Sequence, residues 1–224
     1  TGPLGPLHPT PPAPAAEPVD PAAADAAGAG QTMEAVRHTE SLLEAYAAEE
    51  PPALRTGGLG SRELRRLARA VGLDERVAAL LTEVAYAAGL LGGGAGDGEE
   101  TFRPTGGYDG WRTAPLAARW YTLASAWLAM PRRPGLVGQR DDRDRLIGAL
   151  SPEAERVGTP AIRRAVLGVL RRLPPGTAPT PDETLALLGW HAPRRAAGWA
   201  AVARELLVEA SLLGITGRGA LTSY

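Results

Sequence analysis

The sequence predicts a mainly α-helical protein, a helical bundle that contains two winged-helix-like modules with short β-hairpin wings. Alanine, the residue with the highest helix propensity, is abundant, while aromatic residues make up only 5% of the 224 residues. Apolar residues recur at helical spacing in most segments. Twice along the chain, two such segments precede a pair of short strand-like runs separated by glycine, which is the element order of a winged helix.

The first thirty residues differ in composition from the rest of the chain. They contain eight Pro, nine Ala, three acidic residues and no Arg. Such a segment buries too little apolar surface to offset the entropy of ordering it, so we predict a disordered or polyproline-like linker over residues 1–30. Because the chain also lacks an initial Met, we expect it to be a fragment of a larger protein.

The first predicted module covers residues 31–130. Its apolar residues recur at helical spacing, and prolines, glycines and N-capping residues mark where each run begins and ends. This pattern predicts three helices, a hairpin and a fourth helix. In order, these elements are expected at residues 32–50, 61–71, 74–88, 90–103 and 116–130. The glycine-rich run at residues 92–98 is expected to be a mobile wing tip. The alternative, a phosphate-cradling loop, lacks both the glycine spacing of a dinucleotide fingerprint and the lysine of a P-loop.

Residues 131–158 are expected to connect the two modules, with a short helix at residues 146–150. The second predicted module, residues 159–224, repeats the order of the first. Helical periodicity and proline or glycine stops predict its helices, and two short apolar runs around a glycine-rich turn predict its hairpin. The expected bounds are residues 159–173, 181–189 and 197–213 for the helices and 215–222 for the hairpin.

Composition excludes several kinds of chemistry. The chain has no Cys, so it forms no disulfide and no thiolate metal site. It has no Lys, which removes Schiff-base catalysis and the phosphate-binding lysine of P-loop ATPases. Neither His38 nor His191 has a second ligand at metal-binding spacing, so we expect no metal, no cofactor and no enzyme activity. No apolar stretch of about 18 residues occurs, so no membrane span is expected, and a cytoplasmic location is favoured.

The net charge of −1 means that any nucleic-acid surface has to be a local basic patch. The residues that we predict to contact nucleic acid are all arginines: Arg62, Arg65, Arg66, Arg69, Arg76, Arg103 and Arg218. The first four share one helix face by their spacing, and such a face binds phosphates in a salt-dependent manner. The alternative interpretation is an ordinary solvated helix face. Further arginine pairs occur at residues 132–133, 163–164, 171–172 and 194–195.

The helix expected at residues 74–88 would be the groove-reading helix of a sequence-specific DNA-binding protein. It offers Glu75, Arg76, Thr82 and Glu83, which is more acid than base, and this argues against base reading. The tryptophans at positions 111, 120 and 127 fit a packed helix face. Base-stacking platforms are the alternative for them.

Several short segments also resemble a known family. The most specific is LLGITGRGAL at residues 212–221; others are ALR at 53–55, EVAYAAGLL at 83–91, AWL at 126–128 and PGLVG at 134–138. Together they resemble the helicase-associated proteins of high-GC bacteria, which carry a region similar to XPB/Ssl-type helicases, over roughly residues 31–224. The resemblance implies helical, winged-helix-like segments of a large multidomain protein related to ATP-driven DNA helicases. The helicase motor motifs themselves are absent from this sequence.

The sequence thus predicts a non-catalytic nucleic-acid-binding or docking segment of a helicase-associated DNA-binding protein. The expected partners are DNA, another protein or other domains of the parent chain. The alternative is a protein–protein interaction scaffold built from winged-helix modules, which the near-neutral charge favours. A third hypothesis, an enzyme acting through the parent chain, requires ATP binding, which we do not expect here.

Overall fold

The computed structural model describes residues 10–15, 18–95, 100–196 and 198–224. This part of the chain is mainly helical, as the sequence predicts, and carries two short antiparallel hairpins. Single-turn 3-10 helices lie at Pro134–Leu136 and Pro152–Ala154. The other elements are, in order, α1 (Pro21–Glu49), α2 (Ser61–Ala70), α3 (Glu75–Ala87), β1 (Leu91–Ala95), β2 (Glu100–Pro104), α4 (Gly106–Thr113), α5 (Leu116–Ala129), α6 (Thr159–Leu170), α7 (Pro181–His191), α8 (Pro193–Ala196), α9 (Ala200–Leu212), β3 (Thr216–Gly217) and β4 (Ala220–Leu221).

The start of α1 corrects the prediction of a disordered linker over residues 1–30, because residues 21–30 form the first turns of this helix. Asp20 accepts a hydrogen bond from the backbone N–H of Ala22, and Pro21 occupies the first helical position. Both features favour a helix start. Within the predicted linker, residues 10–15 and 18–20 have no regular secondary structure, and residues 1–9 and 16–17 lie outside the described part of the chain.

Small residues let the first half of α1 pack closely against the hairpin of β3 and β4. Ala24 and Gly28 are buried at this contact. A Cβ atom added to Gly28 would lie 2.4 Å from Cγ2 of Thr222, and one added to Gly217 would lie 2.0 Å from the carbonyl oxygen of Ala24. The burial of this helix face against the hairpin is what orders residues 21–30.

The second half of α1 carries larger side chains into the core. Leu42, Leu43 and Tyr46 are buried, and this helix packs against α3 and α5. The Tyr46 hydroxyl lies 3.2 Å from the Thr82 hydroxyl of α3. One hydrophobic cluster runs from these residues through α5 to α6 and α9, so the two predicted modules share a core. Their boundaries at residues 131 and 159 stay a prediction.

Both predicted hairpins are confirmed. Strands β1 and β2 pair in antiparallel register from Leu91–Pro104 to Ala95–Glu100, and β3 pairs with β4. Pro52, in the link between α1 and α2, forms a further antiparallel bridge with Thr101 of β2. The predicted mobile wing tip at residues 92–98 is corrected in its first part, because residues 92–95 belong to strand β1, and its remainder lies outside the described residues.

The segment before α6 differs from the prediction, because residues 146–150 form no helix. Ala149 instead makes an antiparallel bridge with Leu59, and Leu150 has a left-handed backbone with φ of 60°. A Cβ atom on Gly148 would lie 2.4 Å from the carbonyl oxygen of Leu59. This close backbone contact between distant segments replaces the expected local helix.

The tryptophans pack in the core, as their spacing predicts. Trp111 and Trp127 are buried, and the indole N–H of Trp111 donates to the carbonyl oxygen of Arg119 at 2.9 Å. The half-buried Trp120 donates to the carbonyl oxygen of Leu213 at 2.7 Å. Trp111 belongs to α4, a helix that the sequence did not predict, because its glycines at 106, 107 and 110 have low helix propensity.

No helix in the described ranges combines the length and the apolar character that crossing a bilayer requires.

Candidate nucleic-acid interface

Four arginines of α2 form the predicted basic surface, which we call the α2 arginine face. It consists of Arg62, Arg65, Arg66 and Arg69, and all four are exposed. At 3.6 residues per turn, the four residues fall within an arc of about 100° around the helix axis. That arc lies opposite Leu64, Leu67 and Ala68, which are the buried residues of α2. The helix therefore turns its basic side directly to solvent.

Arg65 and Arg66 lie between Arg62 and Arg69 along the helix axis, and we call them the inner pair and the other two the outer pair. Carboxylates form ion pairs with both inner arginines. Arg65 Nε donates to Oε1 of Glu75 at 2.7 Å. Arg66 forms two ion pairs, with Nε 2.7 Å from Oε2 of Glu49 and Nη2 2.6 Å from Oε2 of Glu63. The two outer arginines are different, because no ion pair joins Arg62 or Arg69 to any carboxylate in the part of the chain that the structure describes. The face therefore has a free outer pair and a compensated inner pair.

The other three predicted contact residues lie apart from this face to different degrees. Arg76 is exposed in the first turn of α3, next to the Glu75 that pairs with α2. Arg103 is exposed on β2, where its guanidinium lies against Gly94 of β1. Arg218 is exposed in the turn between β3 and β4, which packs on the first half of α1.

The length of α1 separates Arg218 from the α2 arginine face. The hairpin of Arg218 contacts α1 near Gly28, whereas α2 is tied to α1 at Glu49. At a rise of 1.5 Å per residue, these two points are about 31 Å apart along the helix. The predicted residues therefore form one patch on α2 and separate single arginines, not one continuous surface.

Helix α3 corrects one expectation about the groove-reading helix. Of the four polar residues assigned to its surface, only Glu75 and Arg76 are exposed, while Thr82 and Glu83 are fully buried. The middle of α3 is surrounded by α1, α2, α5 and the hairpin of β1 and β2. The middle of α3 therefore cannot enter a DNA groove, and only the two ends of the helix are exposed, which strengthens the argument against base reading.

Arg132, which belongs to one of the further arginine pairs of the sequence, is buried. Its guanidinium forms an ion pair with Glu83 of α3 and donates to the carbonyl oxygen of Ser151 at 2.6 Å. Glu83 accepts a further hydrogen bond from the backbone N–H of Leu150 at 2.8 Å. These contacts tie α3 to both ends of the connecting segment.

Arg163 of α6, a member of another of these arginine pairs, is also buried. Its guanidinium donates to the carbonyl oxygens of Met130 at 2.6 Å and Arg132 at 2.9 Å. It also pairs with Glu209 of α9 at 3.4 Å, and Oε2 of Glu209 accepts from the indole N–H of Trp127 at 2.6 Å. The two buried ion pairs meet at residues 130–132 and fix α3, α5, α6 and α9 to one another.

The sequence contains a local signal for this network. Arg163 lies three residues before Val166 and four after Thr159, on the apolar face of α6. Glu209 occupies the matching position between Leu206 and Leu213 in the last helix. A charged residue within an apolar stripe of one helix, matched by an opposite charge in another stripe, indicates a buried pair.

The protonation of Glu209 predicts a pH dependence of stability. Burial raises the pKa of this carboxyl, opposed by the charge of Arg163 and the hydrogen bond from Trp127. The folded protein therefore binds this proton more tightly than the unfolded chain, so the stabilisation from Glu209 falls as pH rises above the ordinary glutamate range.

We expect the unfolding free energy of wild type, relative to that of Glu209→Gln, to decrease as pH rises from about 4.5 to about 7. Urea unfolding of both proteins across this range measures it. A difference that stays constant or increases with pH contradicts the assignment of a raised pKa to Glu209.

The described residues contain no group of three or more His, Asp or Glu side chains placed to hold a metal ion. No protein family, no curated protein and no solved structure matches the chain. The resemblance to helicase-associated proteins therefore rests on the short segments quoted above and stays a prediction.

Proposed function

We propose that this chain is a non-catalytic docking module of a helicase-associated DNA-binding protein, and that its α2 arginine face contacts the phosphate backbone of nucleic acid. The observation that carries the proposal is the exposed outer pair, Arg62 and Arg69, which no carboxylate compensates in the described chain. Arginine suits this role because its planar guanidinium offers several N–H donors that match phosphate oxygens.

We further propose that the two helix–helix–hairpin units are winged-helix-like. In the first unit, α1, α2 and α3 precede the hairpin of β1 and β2, and the bridge from Pro52 to Thr101 adds a third strand position beside β2. In the second unit, α6, α7 and α9 precede the hairpin of β3 and β4. This order of elements, together with the pairing at Pro52, supports the interpretation.

The proposed contact reads no base sequence. Burial of the middle of α3 leaves Glu75 and Arg76 as the exposed members of its four polar residues, and only side chains that reach base edges specify sequence. The expected binding is weak and strongly salt-dependent. With two phosphates contacted, the logarithm of affinity falls with the logarithm of salt concentration at a slope of about −1.8.

The first test replaces the outer pair. We expect Arg62→Glu combined with Arg69→Glu to reduce affinity for a fluorescein-labelled 20-base-pair DNA duplex at least about tenfold at 50 mM salt, because both phosphate contacts become repulsive. Fluorescence anisotropy between 50 and 200 mM salt measures the affinity and its slope.

Arg171→Glu with Arg172→Glu is the matched control, because both residues are exposed at the end of α6 and the change in net charge is the same. We expect this variant to bind within about threefold of wild type. Equal losses in the two variants would show that only net charge matters, and the assignment of the contact to α2 would then be wrong.

A second candidate function is protein docking, and one observation favours it. A cavity of about 230 Å³ opens between α1, the start of α3 and the end of α9, and its apolar lining includes Leu73, Val77 and Leu212. Apolar grooves between helices commonly accept side chains of a partner helix. If the protein binds no duplex at 50 mM salt, the nucleic-acid role is removed and this candidate remains.

A further inference from the structure

The carboxylates that occupy the inner arginines come from three different helices. Glu49 is the last residue of α1, Glu63 lies in the first turn of α2, and Glu75 is the first residue of α3. Their side chains remain 28%, 28% and 51% exposed, although the Oε2 atoms of Glu49 and Glu63 that face Arg66 are themselves buried. Ion pairs between side chains that are partly in contact with water contribute little to folding stability, and their partners can be exchanged without unfolding the helices.

We infer that Glu49, Glu63 and Glu75 are internal competitors of a phosphodiester backbone, which binds the outer arginines first and then displaces these carboxylates from Arg65 and Arg66. The inference rests on the proposed function, because it names how the same α2 arginine face takes its partner. The partner class is an extended polyanion with regularly spaced phosphates, namely duplex DNA.

The geometry of α2 places the inner arginines on the path of such a backbone. Arg62 and Arg69 are seven residues apart, which corresponds to a rise of about 10 Å along the helix. One strand of duplex DNA advances about 3.4 Å along the duplex axis per nucleotide. With α2 lying along that axis, its rise therefore spans about three nucleotides. Since all four arginines share one arc, a strand that contacts the outer pair passes over Arg65 and Arg66.

The exchange keeps each arginine compensated, because a phosphate replaces a carboxylate of the same sign. Arginine also binds phosphate through two parallel N–H donors, which favours the incoming anion. The displaced carboxylates stay near the interface and repel the backbone. Each displaced carboxylate takes a cation back from solution, which offsets the cation that the new phosphate contact releases. Neutralising the carboxylates should therefore increase both the affinity and the number of cations released on binding.

The test compares wild type with Glu49→Gln/Glu63→Gln/Glu75→Gln by anisotropy on the labelled 20-base-pair duplex. In wild type the exchange at Arg65 and Arg66 releases no net cation, so the salt slope stays at the value of the outer pair, about −1.8. In the variant the two contacts at Arg65 and Arg66 release cations as well, and the slope becomes about −3.6. The ratio of affinities at 50 and 200 mM salt should accordingly increase from about 12-fold to about 150-fold. Circular dichroism and thermal unfolding check that the variant is folded.

The matched control is Asp109→Asn/Asp142→Asn/Glu155→Gln, which removes the same number of negative charges from exposed residues that form no ion pair in the described chain. A steeper slope in the first variant but not in the control supports the inference. An equal slope in wild type and the first variant overturns the inference but leaves the proposed function, since wild type still binds. An equally steep slope in the control overturns it as an effect of net charge.

Two further outcomes concern the proposed function and the partner class. If neither wild type nor the first variant binds the duplex at 50 mM salt, the proposed function and the inference both fail. If labelled polyglutamate gains affinity in the first variant while the duplex does not, the face is specific for acidic peptide, and the inference about a phosphodiester backbone is overturned.

Discussion

Replacing Arg163 with Met is expected to destabilise the folded protein by about 3–5 kcal/mol, because the change removes one partner of a buried ion pair. Arg163 is fully buried, and its guanidinium satisfies two backbone carbonyl oxygens as well as the Glu209 carboxylate. Methionine fills similar space but donates no hydrogen bond. The carbonyl oxygens of Met130 and Arg132 and the carboxylate of Glu209 would each lose this donor.

Urea unfolding of the Arg163→Met variant at neutral pH measures the loss. The neighbouring Arg164 is the matched control, because it is exposed on the same helix, and Arg164→Met should change stability by no more than about 0.5 kcal/mol. Two equal effects would mean that the burial of Arg163 contributes nothing specific.

We also expect the stability of the Arg163→Met variant to depend on the protonation of Glu209. Without Arg163, the least costly state of Glu209 is the protonated one, because a buried neutral carboxyl needs no counter-charge. The destabilisation should therefore decrease as pH is lowered, and adding Glu209→Gln should restore part of the lost stability. This behaviour would separate an uncompensated charge from a simple packing defect.

The sequence predicted most helices of this fold because apolar periodicity and helix-stop residues are local signals. Helix α5 was predicted within one residue of its observed bounds, and Asp74 caps α3 as expected. What periodicity could not show is which side of a helix other elements cover. The polar residues Thr82 and Glu83 lie in the middle of α3, where neighbouring elements enclose the helix, so their surface assignment failed.

The candidate site was predictable in part for a related reason. The spacing of Arg62, Arg65, Arg66 and Arg69 is local and correctly placed them on one exposed face. The carboxylates of Glu49 and Glu75 come from other helices, so only the tertiary structure shows that half of the face is compensated. A count of arginines on a helix therefore overstates the charge that a partner meets.

A pair of glycine substitutions on α1 should have opposite signs. We expect Gly28→Ala to destabilise the protein by about 1–3 kcal/mol, because the new Cβ atom must displace the packed hairpin. It would lie 2.4 Å from Cγ2 of Thr222, 2.8 Å from the hydroxyl of Tyr224 and 3.0 Å from the carbonyl oxygen of Gly214.

Gly30→Ala, two residues further along the same helix, is the matched control. No atom lies within 4 Å of its added Cβ, so only the gain in helix propensity remains. This substitution should stabilise the protein by about 0.5–1 kcal/mol. Urea unfolding of both variants under the same conditions gives the two values.

The opposite signs distinguish the structure from the composition-based expectation for residues 1–30. In a disordered linker, both substitutions would leave the unfolding free energy nearly unchanged, because folding would order neither position. In a helix without the hairpin contact, both would stabilise it. Only a helix whose Gly28 face is covered by β3 and β4, and whose Gly30 face is open, gives one loss and one gain. Asp20, Pro21 and the following alanines supply the local helix signal, and the contact with the C-terminal hairpin supplies the burial that makes it stable.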